Sequence, residues 1–269
     1  MKGTGLFKDF ISFAASSVFI NRCLVCERPV NQEDHSFYLP GPIPRGWPRE
    51  TLSFFQNQFI FKTIGGICLS AGVLCDDCWL KLIPAAEYPV AAIDDIPIIA
   101  PFRTCEILLK IIRYLKFSGG KSAAEPLSWW MANALKNYFH DVADSALTEL
   151  LVVPVPLHKS RRRRRGYNQA SLLASRVSAD LRCSFRTDLL VRVKNTKSQS
   201  RLNASSRKEN VRGAFYMTDR VERGSVDLVL VDDLVTTGET VRECVKVLRR
   251  NGVSAVSVLS AGASKACFK

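Results

Sequence analysis

No stretch of the chain strings together the roughly 18 apolar residues that a membrane-spanning helix needs. No segment repeats, so a solenoid or propeller built on a fixed period is excluded. No small-x-small cleavage site follows the apolar stretch Phe10 to Ile20, and Asp9 comes directly after the positive charges of Lys2 and Lys8, so a secretory leader is not expected. Histidine is scarce, and His35, His140 and His158 stand apart from one another and from any metal-ligand spacing. Acidic residues are nearly missing from one region. Residues 151–215 hold Asp180, Asp188 and Glu209 against sixteen Lys and Arg, an imbalance that accounts for the whole formal net charge of +13. Its field attracts phosphorylated small molecules, nucleic acid or an acidic membrane surface, and charge alone does not choose among them.

What the chain does have is an ordinary globular composition. Its 269 residues are 47% hydrophobic and 23% charged, enough to bury a core in one large domain or two small ones. That balance argues against disorder, collagen or a coiled coil. Nine cysteines is an odd number, and four fall into the pairs Cys23-x-x-Cys26 and Cys75-x-x-Cys78. This is the spacing of a metal site rather than of a disulfide framework, and it fits a reducing, cytoplasmic setting. Four thiolates suit tetrahedral Zn²⁺ with every position filled by protein, a structural site, with Cys68 as an alternative fourth ligand.

Between the pairs lies an insert with the Pro/Gly-rich run LPGPIPRGWP and the aromatic run FFQNQFIF. Phe54, Phe55, Phe59 and Phe61 are expected to pack on the metal knuckle, with base stacking as the other use of such rings. Leu6, Phe10, Phe13 and Val18 fall near helical spacing and predict a short amphipathic helix there. We therefore expect a zinc-stapled domain over residues 1–84, a proline-marked linker over 85–101, and a second domain over 102–269.

The second part reads as alternating helices and strands. Helices are predicted over 106–117, 123–138, 168–181 and 240–250, and apolar strands over 150–156, 188–193, 226–231 and 253–259. A basic loop spans Leu157 to Tyr167, and the polar stretch Lys194 to Asn210 has loop composition. Apolar strands alternating with helices predict an α/β fold on a parallel sheet. Cys105, Cys183, Cys244 and Cys267 show no ligand spacing and are expected to be small buried hydrophobes.

The sharpest chemistry lies in LVLVDDLVTTGETV, Leu228 to Val241. An apolar strand ends in two carboxylates, Asp232 and Asp233, and a hydroxyl-rich turn then opens a helix. Ligands of parallel α/β sheets sit beyond the carboxyl ends of the strands, where this turn must lie. Gly238 lets backbone N–H groups approach an anion, Thr236, Thr237 and Thr240 add hydroxyl donors, and the helix N-terminus adds partial positive charge. The carboxylates repel phosphate but can accept hydrogen bonds from vicinal sugar hydroxyls or hold Mg²⁺. A ribose 5-phosphate satisfies both halves.

This run resembles the phosphoribosyl-pyrophosphate (PRPP) motif of type I phosphoribosyltransferases: four apolar residues, two acids, two apolar, then T-T-G-x-T. The resemblance implies that Asp232 and Asp233 hold the ribose hydroxyls and that Thr236, Thr237, Gly238, Glu239 and Thr240 hold the 5-phosphate. Pro154-Val155-Pro156, Arg165-Gly166-Tyr167-Asn168-Gln169 and Leu172-Leu173-Ala174 resemble the pattern of ComF/GntX-like competence proteins. So do Thr196, Gln199, Leu202, Arg207, Asn210 and Gly213-Ala214-Phe215, as well as the stretch Leu115-Lys116-Phe117-x-Gly119.

That resemblance implies a type I phosphoribosyltransferase-like sheet flanked by helices and preceded by a small zinc domain. The loop Arg165, Gly166, Tyr167 and Asn168 would then take the pyrophosphate, with Lys116 as a further point charge and Gln199, Arg207 and Asn210 in a closing flap. Its implied role is PRPP and Mg²⁺ binding in support of DNA uptake or use, with Asp232, Asp233 and Arg165 as the catalytic set. The alternative is a non-enzymatic module that holds single-stranded DNA on the basic loop and zinc domain.

Overall fold

A computed structural model of the chain describes residues 23–28, 74, 78, 81–82, 90–117, 120–139, 147–196, 209–219, 227–264 and 267. The chain divides into two compact units, Met1–Lys81 and Leu82–Lys269. The predicted N-terminal helix, the phenylalanines of the insert, Cys68 and Cys75 lie outside the described residues.

The second unit is built on a seven-stranded sheet. Its strands are β1 (Val90–Ile93), β2 (Ile96–Ile99), β3 (Phe102–Arg103), β4 (Leu151–Pro154), β5 (Ser184–Phe185), β8 (Leu228–Val235) and β9 (Val256–Ala263). The order is β1-β2-β9-β8-β4-β5, and β3 pairs with β9 beyond the end of β2. All pairings are parallel except the β1–β2 hairpin. Leu228 to Val231 and the whole of β9 are buried, as strands covered on both faces must be. A separate antiparallel ribbon pairs β6 (Leu190–Arg192) with β7 (Phe215–Met217).

Among the described residues five α-helices accompany the strands: α1 (Glu106–Phe117), α2 (Ala124–Tyr138), α3 (Lys159–Arg165), α4 (Gln169–Leu181) and α5 (Glu239–Arg250). α2 packs on α4 and on β9, α4 lies on β8 and β4, and α5 meets β7. α1, α2, α4 and α5 each bury an apolar stripe, whereas α3 buries none; in α5 the stripe is Val241, Cys244, Val245 and Leu248, at helical spacing.

Four expectations change. The stretch expected as a linker forms the β1–β2 hairpin from residue 90 onward, with Asp94 in the left-handed conformation (φ 57°) at its turn. Proline marked this segment as irregular, yet Pro97 sits at the second residue of β2, near the strand's beginning, where a missing N–H costs little. The basic loop contains a helix, α3. The strand expected at 188–193 belongs to the side ribbon rather than to the sheet. Finally, β8 does not end at the acid pair: Asp232 pairs with Ser260 and Val235 with Ala263, so both carboxylates stand on ordered strand backbone.

Candidate functional site

Beyond the acid pair, β8 runs into a turn that opens α5. Gly238, the N-cap residue of α5, has φ 76° and ψ 1°, left-handed values that disfavour other side chains. A Cβ there would also lie 2.2 Å from the Ile93 side chain. The turn is thus pressed against the end of β1, and only glycine fits. Arg242 braces it from within α5, donating to the Thr237 carbonyl (2.9 Å) and pairing with Glu239 (2.7 Å). Ser264 donates to the Thr236 carbonyl (2.8 Å).

A cavity of about 500 Å³ opens here. Asp232, Asp233, Thr236, Gly238, Glu239 and Thr240 line it from β8 and α5, Lys116 and Phe117 from α1, and Arg165 and Asn168 from the segment after β4. Thr237 is not part of the lining, and its buried hydroxyl has no hydrogen-bond partner among the described residues. Gly166 and Tyr167 also lie off the lining.

The acid pair is electrostatically asymmetric. Lys116 holds Asp233 with both oxygens in reach, at 3.1 and 2.9 Å. Asp232 accepts the backbone N–H of Asp233 at 2.8 Å. Burial and then the neighbouring Asp233 charge push the Asp232 carboxyl up to about 7, against the opposing pull of Lys116 and Arg192. The ammonium expected to meet the leaving group is thus engaged with a carboxylate.

The basic segment proves to be two surfaces. α3 is capped at its start by His158, whose Nδ1 accepts the Ser160 N–H (3.2 Å), and at its end by Gly166 at φ 80°. Arg161 and Arg165, one helical turn apart, line the cavity, whereas Arg162, Arg163 and Arg164 are exposed. Beyond the helix, Tyr167 donates its hydroxyl to the Leu115 carbonyl, and Asn168 donates to the Val155 carbonyl (3.0 Å). These two side chains tie the segment to α1 and to the end of β4.

Sequence reasoning weighed Arg161 only within the basic run 161–164, as a solvated face or a nucleic-acid contact, and did not single out Gln169 or Arg192 as site residues, yet all three line the cavity. Gln169 was visible only as part of a family pattern. Arg192 stands alone in a short strand and had no signal. Of the flap residues, Asn210 is half-buried in a helical turn at 209–211, and Gln199 and Arg207 lie outside the described residues.

The first unit holds a second cluster. The Sγ atoms of Cys23, Cys26 and Cys78 all lie within 4.8 Å of one another. Residues 23–28 fold back through Cys23 N–H to the Arg28 carbonyl (2.8 Å), with Glu27 in the left-handed conformation. The Val25 N–H points at Cys23 Sγ (3.5 Å) and Arg28 Nε at Cys26 Sγ (3.4 Å). Donors aimed at sulfur favour thiolates, so the cluster can hold a metal ion.

No family model matches the chain. The DNA utilization protein YhgH of Escherichia coli K12 is 34% identical over 181 residues, covering 67% of this chain and 70% of that protein. The chain belongs to the ComF/GntX-like competence protein family. A second member, competence protein F of Haemophilus influenzae, is 40% identical over 107 residues, 40% of this chain and 46% of its own length. Among solved structures, orotate phosphoribosyltransferase from Aeropyrum pernix is similar at 13% identity and a TM-score of 0.29, over 63% of this chain and 82% of that one. Membership of the ComF/GntX-like family rests on the sequence matches. Among the described residues, no helix is long and apolar enough to cross a membrane.

Proposed function

We propose that the cavity at the end of β8 binds PRPP with Mg²⁺ and that the chain is a phosphoribosyltransferase-type protein serving DNA uptake or utilization. One observation carries this reading: the carboxylates of Asp232 and Asp233 and the Thr236–Thr240 turn line a single cavity, on a strand end and helix start held in place by Gly238. The turn and the α5 N-terminus suit a phosphate monoester. Asp232 and Asp233 suit vicinal hydroxyls, and Asp233 would exchange part of its bond to Lys116 for them. Mg²⁺ would sit at these carboxylates and the ligand's own oxygens, neutralising diphosphate charge.

In transfer, the bond from ribose C1 to pyrophosphate breaks with its electron pair leaving on the diphosphate. An acceptor nucleophile bonds C1 and gives up its proton. The chain's part is to orient the sugar and stabilise the departing charge, for which Arg165 is suited by its bidentate guanidinium. Calorimetric titration with PRPP and Mg²⁺ tests this. Binding is expected in the wild type and a loss of at least about tenfold in Asp232→Asn; no heat and no protection by PRPP would sink the reading.

A second reading is favoured by Arg162, Arg163 and Arg164, exposed side by side on α3, and by the names of the relatives. Single-stranded DNA would lie on this face. Its affinity should then fall steeply with salt, should weaken in Arg163→Gln, and should be indifferent to Asp232→Asn. For the first unit we propose Zn²⁺ held by Cys23, Cys26 and Cys78, with Cys75 as the fourth thiolate.

A further inference from the structure

The β1–β2 hairpin has two adjacent carboxylates at its tip, Asp94 and Asp95, and each meets an arginine of α5. Arg242 Nε donates to Asp94 (2.8 Å), and Arg249 donates to both oxygens of Asp95 (3.0 and 2.8 Å). Arg242 and Arg249 lie two helical turns apart and so project from one face of α5. The two pairs are matched in exposure, with the arginines 37% and 38% exposed and the aspartates 63% and 70%. β1 is an edge strand paired with β2, and the ion pairs fasten its tip to α5 beside the Ile93 side chain that crowds Gly238.

The pairs differ in what their arginine does next. Among the described residues, Arg249 makes no other side-chain hydrogen bond. Arg242 reaches onward to the turn, where Nη1 donates to the Thr237 carbonyl (2.9 Å) and to Glu239 (2.7 Å). Its guanidinium is planar and rigid, so anchoring Nε on Asp94 sets the direction in which Nη1 points. The Thr237 carbonyl belongs to the same trans peptide as the Gly238 N–H, and the two point in opposite directions. Arg242 thus turns the Gly238 N–H away from itself, at a residue that lines the cavity.

We propose that Asp94 is a positioning residue for the turn: through Arg242 it fixes the Thr237–Gly238 peptide, and the hairpin tip thereby sets the affinity for a phosphate monoester. Asp95 and Arg249 hold the same hairpin without reaching the turn. This deepens the PRPP reading and rests on it for the ligand, whereas the order given to the turn is testable in the free protein. Charge alone predicts the opposite effect, since removing a carboxylate from the neighbourhood of an anion site favours the anion. The sign of the change therefore separates positioning from simple electrostatics.

Asp94→Asn removes the charge and keeps a residue that tolerates the left-handed conformation of the tip. Asp95→Asn is its matched control. Amide hydrogen exchange in the ligand-free, full-length protein reads the turn directly. Exchange over residues 236–241 is expected to quicken at least about twofold in Asp94→Asn and to stay unchanged in Asp95→Asn, while the two variants share the same Tm. Titration with ribose 5-phosphate is expected to show about two- to fivefold weaker binding in Asp94→Asn, the worth of an exposed ion pair, and no loss in Asp95→Asn. Arg242→Gln should lose about tenfold. Adding Asp94→Asn to it should cost nothing more, because both act through one guanidinium.

Equal exchange in the two aspartate variants overturns this role for Asp94, as does ribose 5-phosphate affinity that is unchanged or tighter in Asp94→Asn. Losses that add in the double variant overturn it too, since Asp94 would then act by another route. If the wild-type protein ignores ribose 5-phosphate, the phosphate reading of the turn fails, and the exchange result alone decides whether Asp94 orders it.

Discussion

Asp232 and Asp233 are neighbours in sequence with different surroundings. Asp233 faces an ammonium; Asp232 faces burial and the Asp233 charge, which raise it from 3.8 to about 7. A carboxyl raised on folding binds its proton more tightly in the native state. The group's contribution is therefore fully present below its unfolded value near 3.8 and is lost as pH rises through about 7. Asp232→Asn imitates the protonated form at every pH. In metal-free buffer the difference in Tm between Asp232→Asn and wild type should be near zero at about pH 4 and grow in favour of the variant up to about pH 8. Lys116→Met, which removes a cation that opposes the shift, should move that rise to higher pH. A difference independent of pH across this range would mean that Asp232 ionises as an ordinary surface carboxyl. The acid pair was legible because strand, doublet and hydroxyl turn are contiguous. The partner of Asp233 was not, since Lys116 lies 117 residues away and meets it only through the packing of α1.

At the scale of elements, α3 is the lesson. Five consecutive arginines show no apolar periodicity, and a helix that buries no residue leaves no hydrophobic signal to read. Arginine is nonetheless a good helix former, and the ends supply the rest: His158 caps the start and Gly166 turns the chain out. Nothing lies within 4 Å of a Cβ built at Gly166, so its φ of 80° is the sole obstacle to substitution there. Gly166→Ala should cost about 1 kcal/mol in denaturant unfolding, the left-handed penalty less the entropy saved in the unfolded chain. Gly166→Asn should cost clearly less, because asparagine tolerates that conformation. If alanine and asparagine are equally harmless, α3 frays in solution and does not hold Arg161 and Arg165 toward the cavity. The helix thus sorts one run of charge into a cavity face and an open face, and spacing by single residues could not disclose that.

For the whole molecule, the strands of the sheet that carry the site were legible as apolar runs, because burial on both faces leaves few polar residues in them. The β1–β2 hairpin was not, since its prolines argued for a linker. Yet Ile93 at its end packs where a Cβ of Gly238 would go, so the hairpin helps shape the turn that opens α5. The knuckle of the first unit stands on different physics. A tetrahedron with metal–sulfur bonds of about 2.3 Å sets its sulfurs about 3.8 Å apart, within the span of the three described thiols. If the knuckle holds zinc as proposed, the binding energy of the ion counts directly as folding energy. One zinc per chain is expected in purified protein. Chelation should then produce an early unfolding transition confined to residues 1–81, while the α/β unit keeps its far-ultraviolet signal. Cys75→Ser should lower zinc affinity as strongly as Cys78→Ser. Purified protein with no zinc and a single undisturbed transition would instead make the three thiols an ordinary buried cluster, and a Cys75→Ser variant that keeps full affinity would remove Cys75 from the ligand set.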